Sequence, residues 1–376
     1  MRRRVLLGVA AGLVSGAAFA GAAGDGVTDD TDALQAAIDA AARVRGRVRL
    51  PAGNYLHRGL ILRDPVVLEG DGPQGTVLQL ADGSAVPNLT IEPRNPPGRD
   101  VYRESGVPGG FEVRGLALRG TAGDPAGAGR AHGLAIRQAA SGGLYSRVIL
   151  DDVLIDRSAA DGLNCADNPH GAWQGFVVAS RLYIVGSHRD NFATNSAFDW
   201  RVRDSELSFC GRDNILLSGS AGFVFDGVNV WGAGRWNIVF WQDEHVDNGG
   251  HHSFIGCAID TSRQGGVRYN IRSANSYVKF VGCDFGGEPD PRAPELAGVY
   301  SDFFIDALRT GDLLLDSCTF KPPHAVDAKY YARFNIEYGP GVTGKVSLSN
   351  VRLAWSLARA ISNPAQFVGT ITPPQK

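Results

Sequence analysis

The chain has 376 residues, 44% of them hydrophobic, and is therefore long enough to bury a substantial core. Its formal net charge is −2, and no basic run follows the first few residues, which disfavours a nucleic-acid-binding protein. The 49 glycines are typical of a fold with many tight turns.

The first 20 residues predict an export signal. Arginines occupy positions 2–4 and precede an apolar stretch, and Ala18–Ala20 matches a small-residue cleavage site. The apolar stretch is too short and too rich in Ala and Gly for a transmembrane helix, so we expect no membrane association after cleavage. We predict an exported mature domain, residues 21–376, in the periplasm or the medium. It would leave by the general secretory route or, given the arginine pair, by the twin-arginine route.

The head of the mature chain predicts a short α-helix over about residues 30–42. Asp30 or Thr31 can cap its N-terminus, and Leu34 and Ile38 lie on one apolar face. Such a helix can close the open end of a stacked β-structure, where it hides the core and the strand edges.

An eight-residue pattern of alternating apolar positions then recurs at intervals of 23 to 37 residues, with a second short strand between units. Units of this length cannot bury a face alone, whereas stacked coils share one continuous core. We therefore predict an all-β fold, a single-stranded right-handed parallel β-helix with coils over about residues 46–355 and an N-terminal capping α-helix. The units begin at Phe111, Val148, Val177, Trp200, Phe223, His252, Val278, Leu313 and Val346.

The sixth position of the repeat predicts a use for most of the cysteines. It contains Cys257, Cys283 and Cys318 in three consecutive units, on the side that faces the core. We therefore predict that these three are small buried hydrophobic residues and not catalytic thiols.

Two N-terminal segments resemble the signature of the pectate-lyase-like superfamily, and more narrowly its rhamnogalacturonase and epimerase-like branch. They are Gly24-Asp-Gly-Val-Thr-Asp-Asp-Thr31 and Gly46-Arg-Val-Arg-Leu-Pro-Ala-Gly-Asn-Tyr55, and Gly70-Asp-Gly72 continues the likeness. The resemblance covers about residues 24–80 and implies a β-helix that handles polysaccharide. It does not select one reaction, since the superfamily includes lyases, hydrolases, epimerases, fructotransferases and phage tailspikes.

In the hydrolases of this superfamily, acidic residues lie at the start of the strand that floors the groove. The corresponding residues here are Asp161, Asp190 and Asp213. Because coils stack at about 4.8 Å, equivalent carboxylates lie roughly 5 or 10 Å apart, which brackets the separations of glycosidase acid and base pairs. The alternative is that each aspartate caps turn amides beside a ladder of asparagines.

Two long loops, residues 166–175 and 241–251, leave the same ends of the short strands and predict the walls of a groove. His170 in the first loop is a candidate general base. Asp243 and Glu244 in the second loop are candidate catalytic acids or part of a cation site, with a solvated loop as the alternative.

The groove also contains candidate substrate-binding residues of two kinds. Tryptophans offer flat faces to sugar rings, although each can instead pack against a loop. Arginines can neutralise a uronate carboxylate, as β-elimination requires, or form ion pairs. The candidates are Trp173, Trp236, Trp241, Arg189, Arg212 and Arg268.

Together these features predict an exported carbohydrate-active enzyme that cleaves or transfers glycosidic bonds in a polysaccharide or oligosaccharide. Residues 160–270 contain no lysine, which favours hydrolysis or transfer by Asp and Glu. The alternatives are a lyase or uronate epimerase that uses Arg or His, and a non-catalytic carbohydrate-binding β-helix. No metal site is predicted and no cofactor is required, with Ca²⁺ left open. The chain is predicted to be a monomer or a homotrimer.

Overall fold

The computed structural model describes residues 21–93, 110–121, 129–137, 147–167, 174–195, 197–242, 250–272, 276–286, 300–308, 312–321 and 334–372. Within these ranges the chain winds into stacked coils whose strands form two large parallel sheets. We call them the broad sheet, with 20 strands, and the narrow sheet, with 10.

The narrow sheet receives one short strand from each coil, and neighbouring strands are in parallel register. Its strands, in order along the axis, are Leu60–Leu62, Leu89–Ile91, Leu134–Ile136, Leu163–Cys165, Phe192–Asn195, Ile215–Ser218, Trp236–Trp241, Gly265–Asn270, Ser301–Ala307 and Phe334–Tyr338.

The broad sheet contains the eight-residue units predicted from the sequence. Val148 pairs with Phe111 on one side and with Val177 on the other, so the units stack at equivalent positions. The strands are Asp25–Asp29, Arg47–Arg49, Gly53–His57, Val67–Glu69, Thr76–Leu80, Phe111–Arg119, Val148–Asp156, Val177–Val185, Arg201–Arg203, Glu206–Ser208, Val224–Asp226, Asn229–Trp231, His252–Ile255, Ala258–Ile259, Val278–Val281, Asp284–Phe285, Leu313–Asp316, Thr319–Phe320, Val346–Arg352 and Phe367–Thr372.

The predicted fold class is confirmed: the chain is an all-β, right-handed parallel β-helix with a capping α-helix near its N-terminus. The helix, Thr31–Arg43, packs on the strands Arg47–Arg49 and Leu60–Leu62 and buries Leu34 and Ile38. A four-residue helix, Leu357–Ala360, a 3₁₀ turn, Pro364–Gln366, and a two-stranded sheet of Gln174–Gly175 with Ala197–Phe198 complete the described elements.

The core consists of side chains that stack from coil to coil. The rings of Phe225, Phe254 and Phe280 are successive layers, with centroids 4.6 and 4.8 Å apart. This spacing equals the roughly 4.8 Å between paired strands, so the core repeats with the backbone. All five cysteines are buried, and Cys257, Cys283 and Cys318 lie in the core as predicted. In the part of the chain that the structure describes, no helix is long and apolar enough to span a membrane.

Candidate functional site

The turn that leads into each narrow strand has an acidic residue at the same place in three successive coils. Asp161, Asp190 and Asp213 are each at most 2% exposed, and we call them the carboxylate ladder. Each carboxylate accepts a hydrogen bond from the backbone N–H of the equivalent residue one coil further on. The donors are Asp190 to Asp161 at 3.1 Å, Asp213 to Asp190 at 2.9 Å and Trp236 to Asp213 at 3.1 Å.

A ladder of asparagines lies directly beside these carboxylates. The Nδ2 group of Asn191 donates to Oδ1 of Asn214 at 2.7 Å, and that of Asn214 donates to Oδ1 of Asn237 at 2.8 Å. Asn164, nearer the N-terminal end of the helix, donates to Oδ2 of Asp161 at 2.7 Å. Because buried polar groups are costly when unpaired, these bonds fix the turn rigidly.

Arginines cover the carboxylate ladder on its solvent side. Arg189, Arg212 and Arg235, which we call the guanidinium row, each pair with the ladder aspartate of the preceding coil, and their side chains are 31–40% exposed. The protein therefore presents cationic groups over buried anions. The Nη2···Oδ2 distances are 2.9 Å for Arg189 with Asp161 and 3.4 Å for Arg212 with Asp190, and Arg235 contacts Asp213 through both Nε, at 3.2 Å, and Nη2.

His132 occupies the equivalent turn position one coil before Asp161 and is 1% exposed. Its Nδ1 lies 3.3 Å from Oδ2 of Asp161, and its Nε2 lies 3.0 Å from Oδ2 of Asp167. Burial alone would lower the pKa of His132, but its hydrogen bonds to the two carboxylates outweigh burial and raise that pKa. Since Asp161 precedes the strand Leu163–Cys165 and Asp167 follows it, His132 ties both ends of this strand together.

Neighbouring carboxylates of the ladder have pKa values shifted in opposite directions. Burial, together with the charges of Asp161 and Asp213, raises the pKa of Asp190 to about 6. Burial also acts against the charge of Asp161, but His132 and Arg189 outweigh it and hold the pKa of Asp161 below its usual range. A carboxyl group with a raised pKa beside one with a lowered pKa is typical of functional sites.

The structure brings Asp161, Asp190 and Asp213 together as the sequence predicted, but with their oxygens directed to backbone amides and guanidinium groups. This is the geometry of the turn-capping alternative. A carboxylate that donates or accepts a proton directly must reach the substrate within hydrogen-bond distance. In the structure, these three carboxylates contact backbone amides and the guanidinium row, and their catalytic role stays a prediction.

Two predicted binding residues lie further along the outer face of the narrow sheet. The guanidinium group of Arg268 is 5.4 Å from the ring centroid of Trp241, and its Nε lies 2.6 Å from Oδ2 of Asp306. Trp241 is 41% exposed, so part of its side chain is accessible. The pair therefore combines a cation with a flat aromatic surface.

Trp236 ends the carboxylate ladder. Its ring lies over Gly265, where an added Cβ would come 2.1 Å from Cζ3 of the indole. Glycine at position 265 is thus required for the ring to rest on the narrow sheet, 6.1 Å from the ring of Phe304. This places an aromatic side chain directly after the guanidinium row.

Four of the predicted site residues lie outside the described residues: His170, Trp173, Asp243 and Glu244. Among the residues that the structure does describe, no group of three or more His, Cys, Asp or Glu side chains could hold a metal ion. The candidate site therefore consists of the guanidinium row, the buried carboxylates beneath it and the aromatic residues beyond it.

Sequence reasoning missed Arg235 and His132. A signal for the first exists, since Arg189-Asp190-Asn191, Arg212-Asp213-Asn214 and Arg235-Trp236-Asn237 recur at 23-residue intervals and keep the arginine. A signal for the second is Ala131-His132-Gly133, which matches Ala160-Asp161-Gly162 one coil on. Arg235 follows from the column of arginines, and His132 follows from the column of aspartates although it is not an aspartate itself.

Residues 19–101 match the model of the family described as rhamnogalacturonase A/epimerase, pectate lyase-like, which confirms the resemblance noted in the sequence. Among curated proteins, alginate lyase 7 of Azotobacter vinelandii is 49% identical over 72 residues, 17% of this chain and 8% of that protein. Mannuronan C5-epimerase AlgE6 of the same organism is 43% identical over 109 residues, 27% of this chain and 12% of that protein. The chain thus matches a small part of these much longer relatives.

Solved structures with the same fold cover almost the whole chain. The A-module of Azotobacter vinelandii mannuronan C-5 epimerase AlgE4 superposes with a TM-score of 0.63 at 18% identity, over 95% of this chain and 96% of that one. Tailspike protein 2 of an Escherichia coli O157:H7 bacteriophage gives a TM-score of 0.62 at 13% identity, over 86% of this chain and 40% of that one. These similarities define the class of protein by its fold, a right-handed parallel β-helix.

Proposed function

We propose that the protein modifies a uronate-containing polysaccharide by removing the C5 proton of a uronate residue, as an epimerase or a lyase. The observation that carries this proposal is the similarity, at 43–51% identity over 72 to 109 residues, to curated mannuronan C5-epimerases and an alginate lyase. Mannuronan and alginate are polymers of uronate, so each sugar residue of such a substrate has a carboxylate.

The two reactions share their first step. A base takes the proton from C5, and the electron pair that remains is delocalised into the adjacent carboxylate, whose negative charge must be neutralised. Return of a proton to the opposite face of C5 gives the epimer. Departure of the oxygen linked at C4 instead gives a C4=C5 double bond and a broken chain. Both routes require a cationic group at the carboxylate and a base at C5.

The guanidinium row is suited to the first requirement. Its arginines are partly exposed, lie on successive coils and therefore repeat along the axis, as the carboxylates of a polyuronate chain repeat along the polymer. A guanidinium group presents several N–H donors in a plane that matches a carboxylate. The base is proposed to lie on the loop after Cys165, where His170 is the candidate.

The geometry also weakens the argument for hydrolysis. That argument depended on Asp190, Asp213 and Asp161 as an acid and base pair in the groove, yet these carboxylates are buried and bonded to backbone amides. Retaining and inverting hydrolysis both need carboxyl groups that reach the glycosidic bond. Proton abstraction at C5 instead calls on the guanidinium row, whose side chains are 31–40% exposed, to neutralise the carboxylate.

Arg212 tests this assignment. Its Nη2 lies 3.4 Å from Oδ2 of Asp190, the longest ion-pair distance in the row. Arg212 is therefore the arginine of the row that its aspartate holds least tightly. We expect Arg212→Gln to lower kcat/KM on a polyuronate by about tenfold or more, since a charge-assisted hydrogen bond is worth roughly 1.5–3 kcal/mol. Rates are compared by the absorbance of unsaturated product and by NMR of the C5 configuration.

The matched control is Arg157→Gln, an exposed arginine that pairs with Asp156 on the broad sheet. It should leave kcat/KM within about twofold, as expected for a surface pair. Equal losses in the two variants would contradict the assignment of Arg212. Ca²⁺ is the alternative neutralising group, and activity that disappears with EDTA and returns with Ca²⁺ would transfer the role to a metal.

The export signal is part of the proposal. If the chain is exported and cleaved after Ala20, N-terminal sequencing of the protein recovered from the periplasm or medium should begin at Gly21. Protein that stays in the cytoplasm with residues 1–20 intact would contradict an extracytoplasmic function.

A further inference from the structure

A cavity lies on a different sheet from the guanidinium row. It has a volume of about 340 Å³. Its lining includes Pro73 and Gln74, and also Leu154, Tyr183 and Phe209 from the broad sheet and its edge. Small-molecule pockets typically occupy about 300–1,000 Å³. The cavity is thus large enough for one compact ligand and lies on the outer face of the broad sheet.

Phe209 has a positive φ, and the equivalent residue in the coil before it and in the coil after it is a glycine. Ser208 pairs with Val185 and with Trp231, so the residues that follow them, Gly186, Phe209 and Gly232, are equivalent. All three have positive φ, at 73°, 52° and 72°. Glycine adopts this region of φ and ψ without a steric penalty, whereas a bulky residue adopts it only at a steric cost. An aromatic residue here therefore costs stability that a glycine would avoid.

The ring of Phe209 does not recover that cost by full burial, since the residue is 38% exposed. Part of the ring packs against Trp231, and the rest of its surface remains accessible to a ligand. Tyr183, which lines the same cavity, is 41% exposed. Two exposed aromatic rings at one concave surface indicate an interaction site.

A fixed acceptor lies beside the two rings. Oε1 of Glu206 accepts hydrogen bonds from Oγ of Ser208 at 3.0 Å and from Nε1 of Trp231 at 3.2 Å. The ring of Trp231 meets that of Phe209 edge to face, with centroids 4.2 Å apart. Glu206 is therefore held in one place at the edge of an aromatic platform made by Tyr183 and Phe209, with Trp231 packed against Phe209 from outside the cavity.

We infer that this platform binds a sugar residue that has no carboxylate. A pyranose ring has an apolar C–H face, which packs on aromatic rings, and hydroxyl groups at its edge, which donate to an acceptor such as Glu206. Glu206 is the one charged residue that lines the cavity within the described part of the chain, and its carboxylate repels that of a uronate. The platform and the guanidinium row thus select opposite kinds of sugar.

Phe209→Gly tests the inference without threatening the fold, because it restores the residue that precedes and follows it in the stack. We would measure binding of cellohexaose, mannohexaose and maltohexaose by calorimetry, with the unsubstituted residues 21–376 as reference. At least one of these neutral oligosaccharides should bind saturably, and Phe209→Gly should weaken that binding by about tenfold or more. The thermal midpoint should stay the same or rise.

Phe176→Gly is the matched control. Phe176 is also an exposed phenylalanine with positive φ, 59°, but it lies at the other end of its broad strand and does not line the cavity. This variant should bind the oligosaccharide within about twofold of the unsubstituted protein, which is roughly 0.4 kcal/mol.

Three results would overturn the inference. The first is that none of the three oligosaccharides binds saturably. The second is that Phe209→Gly binds within twofold of the unsubstituted protein. The third is that Phe176→Gly loses as much affinity as Phe209→Gly. A concentration-dependent dimer in sedimentation that Phe209→Gly dissolves would also overturn it, because the platform would then bind a second copy of the chain. No turnover is measured, so these outcomes do not depend on the proposed reaction.

Discussion

Asp190 is the residue of the site whose charge is most disfavoured by its surroundings. Its pKa is raised from 3.8 to about 6, first by burial and then by the neighbouring carboxylates. Because the folded pKa exceeds the unfolded one, the associated stability is fully present below about pH 4 and is lost as the pH rises through about 6. Above that pH the protein folds with an unfavourable buried charge.

Asp190→Asn should therefore stabilise the protein at pH 8, on the order of 1–3 kcal/mol in the free energy of unfolding. The asparagine Oδ1 can still accept the bond that Asp213 N–H donates at 2.9 Å. The gain should shrink as the pH falls through about 6 and vanish near pH 4, as measured by urea unfolding at a series of pH values. The exposed Asp226→Asn should show no such trend, and a variant less stable than the parent at pH 8 would refute the account.

At the residue scale, the sequence predicted which residues lie together at the site, but it did not predict which contacts they make there. Asp161, Asp190 and Asp213 were placed in one column because each stands at the same offset in its coil. Their role depends on where the oxygens point, and that is set by the amide of the next coil, which the spacing alone does not show. His132 was missed because its position follows from a column and not from a motif.

The asparagine ladder is the element that holds the turns beside the narrow sheet in register. Asn214 is central to it, since it accepts from Asn191 and donates to Asn237 and to the carbonyl of Trp231 at 2.8 Å. Asn214→Ala should lower the free energy of unfolding by about 2–4 kcal/mol, because it leaves buried partners unpaired. The measurement is the midpoint of urea unfolding at neutral pH.

Asn229→Ala is the control for this ladder. Asn229 is exposed on the broad sheet in the same region of the helix, so its replacement should change the free energy of unfolding by no more than about 0.5 kcal/mol. If Asn214→Ala and Asn229→Ala lowered the free energy of unfolding equally, the asparagine ladder would not contribute more to stability than an exposed asparagine.

The elements most readily predicted were those with enough residues to show a period. The nine-residue strands Val148–Asp156 and Val177–Val185 alternate on each side of a residue with positive φ, Asp152 or Arg181, and the helix Thr31–Arg43 has an apolar face. The predicted cap is not observed, because the Asp30 carboxylate accepts hydrogen bonds from the N–H groups of Ala23 and Gly24 and none from the helix. The three-residue strands Leu60–Leu62 and Leu89–Ile91 were not predicted individually. Three residues are too few to distinguish alternation from chance, so only the stacking of neighbouring coils defines these strands.

At the scale of the whole molecule, one scaffold supports two surfaces with different chemistry. The narrow sheet has the guanidinium row, which suits an anionic sugar, and the broad sheet has the aromatic platform, which suits an uncharged one. Both arise from variation at fixed positions of a constant coil, so a repeat fold can change its ligands without changing its core. The predicted monomer or homotrimer would decide how these surfaces are arranged in solution.

The fold alone does not select among the reactions of its relatives, whereas the fate of the C5 proton distinguishes them. Residues 21–376 would be incubated in D₂O with polymannuronate, polyguluronate and polygalacturonate, and the products followed by NMR. We predict, for at least one polymer, either deuterium at C5 of an inverted residue or a C4=C5 double bond at a new chain end. New reducing ends with the original proton kept at C5 and no unsaturation, or three unchanged polymers, would contradict the account.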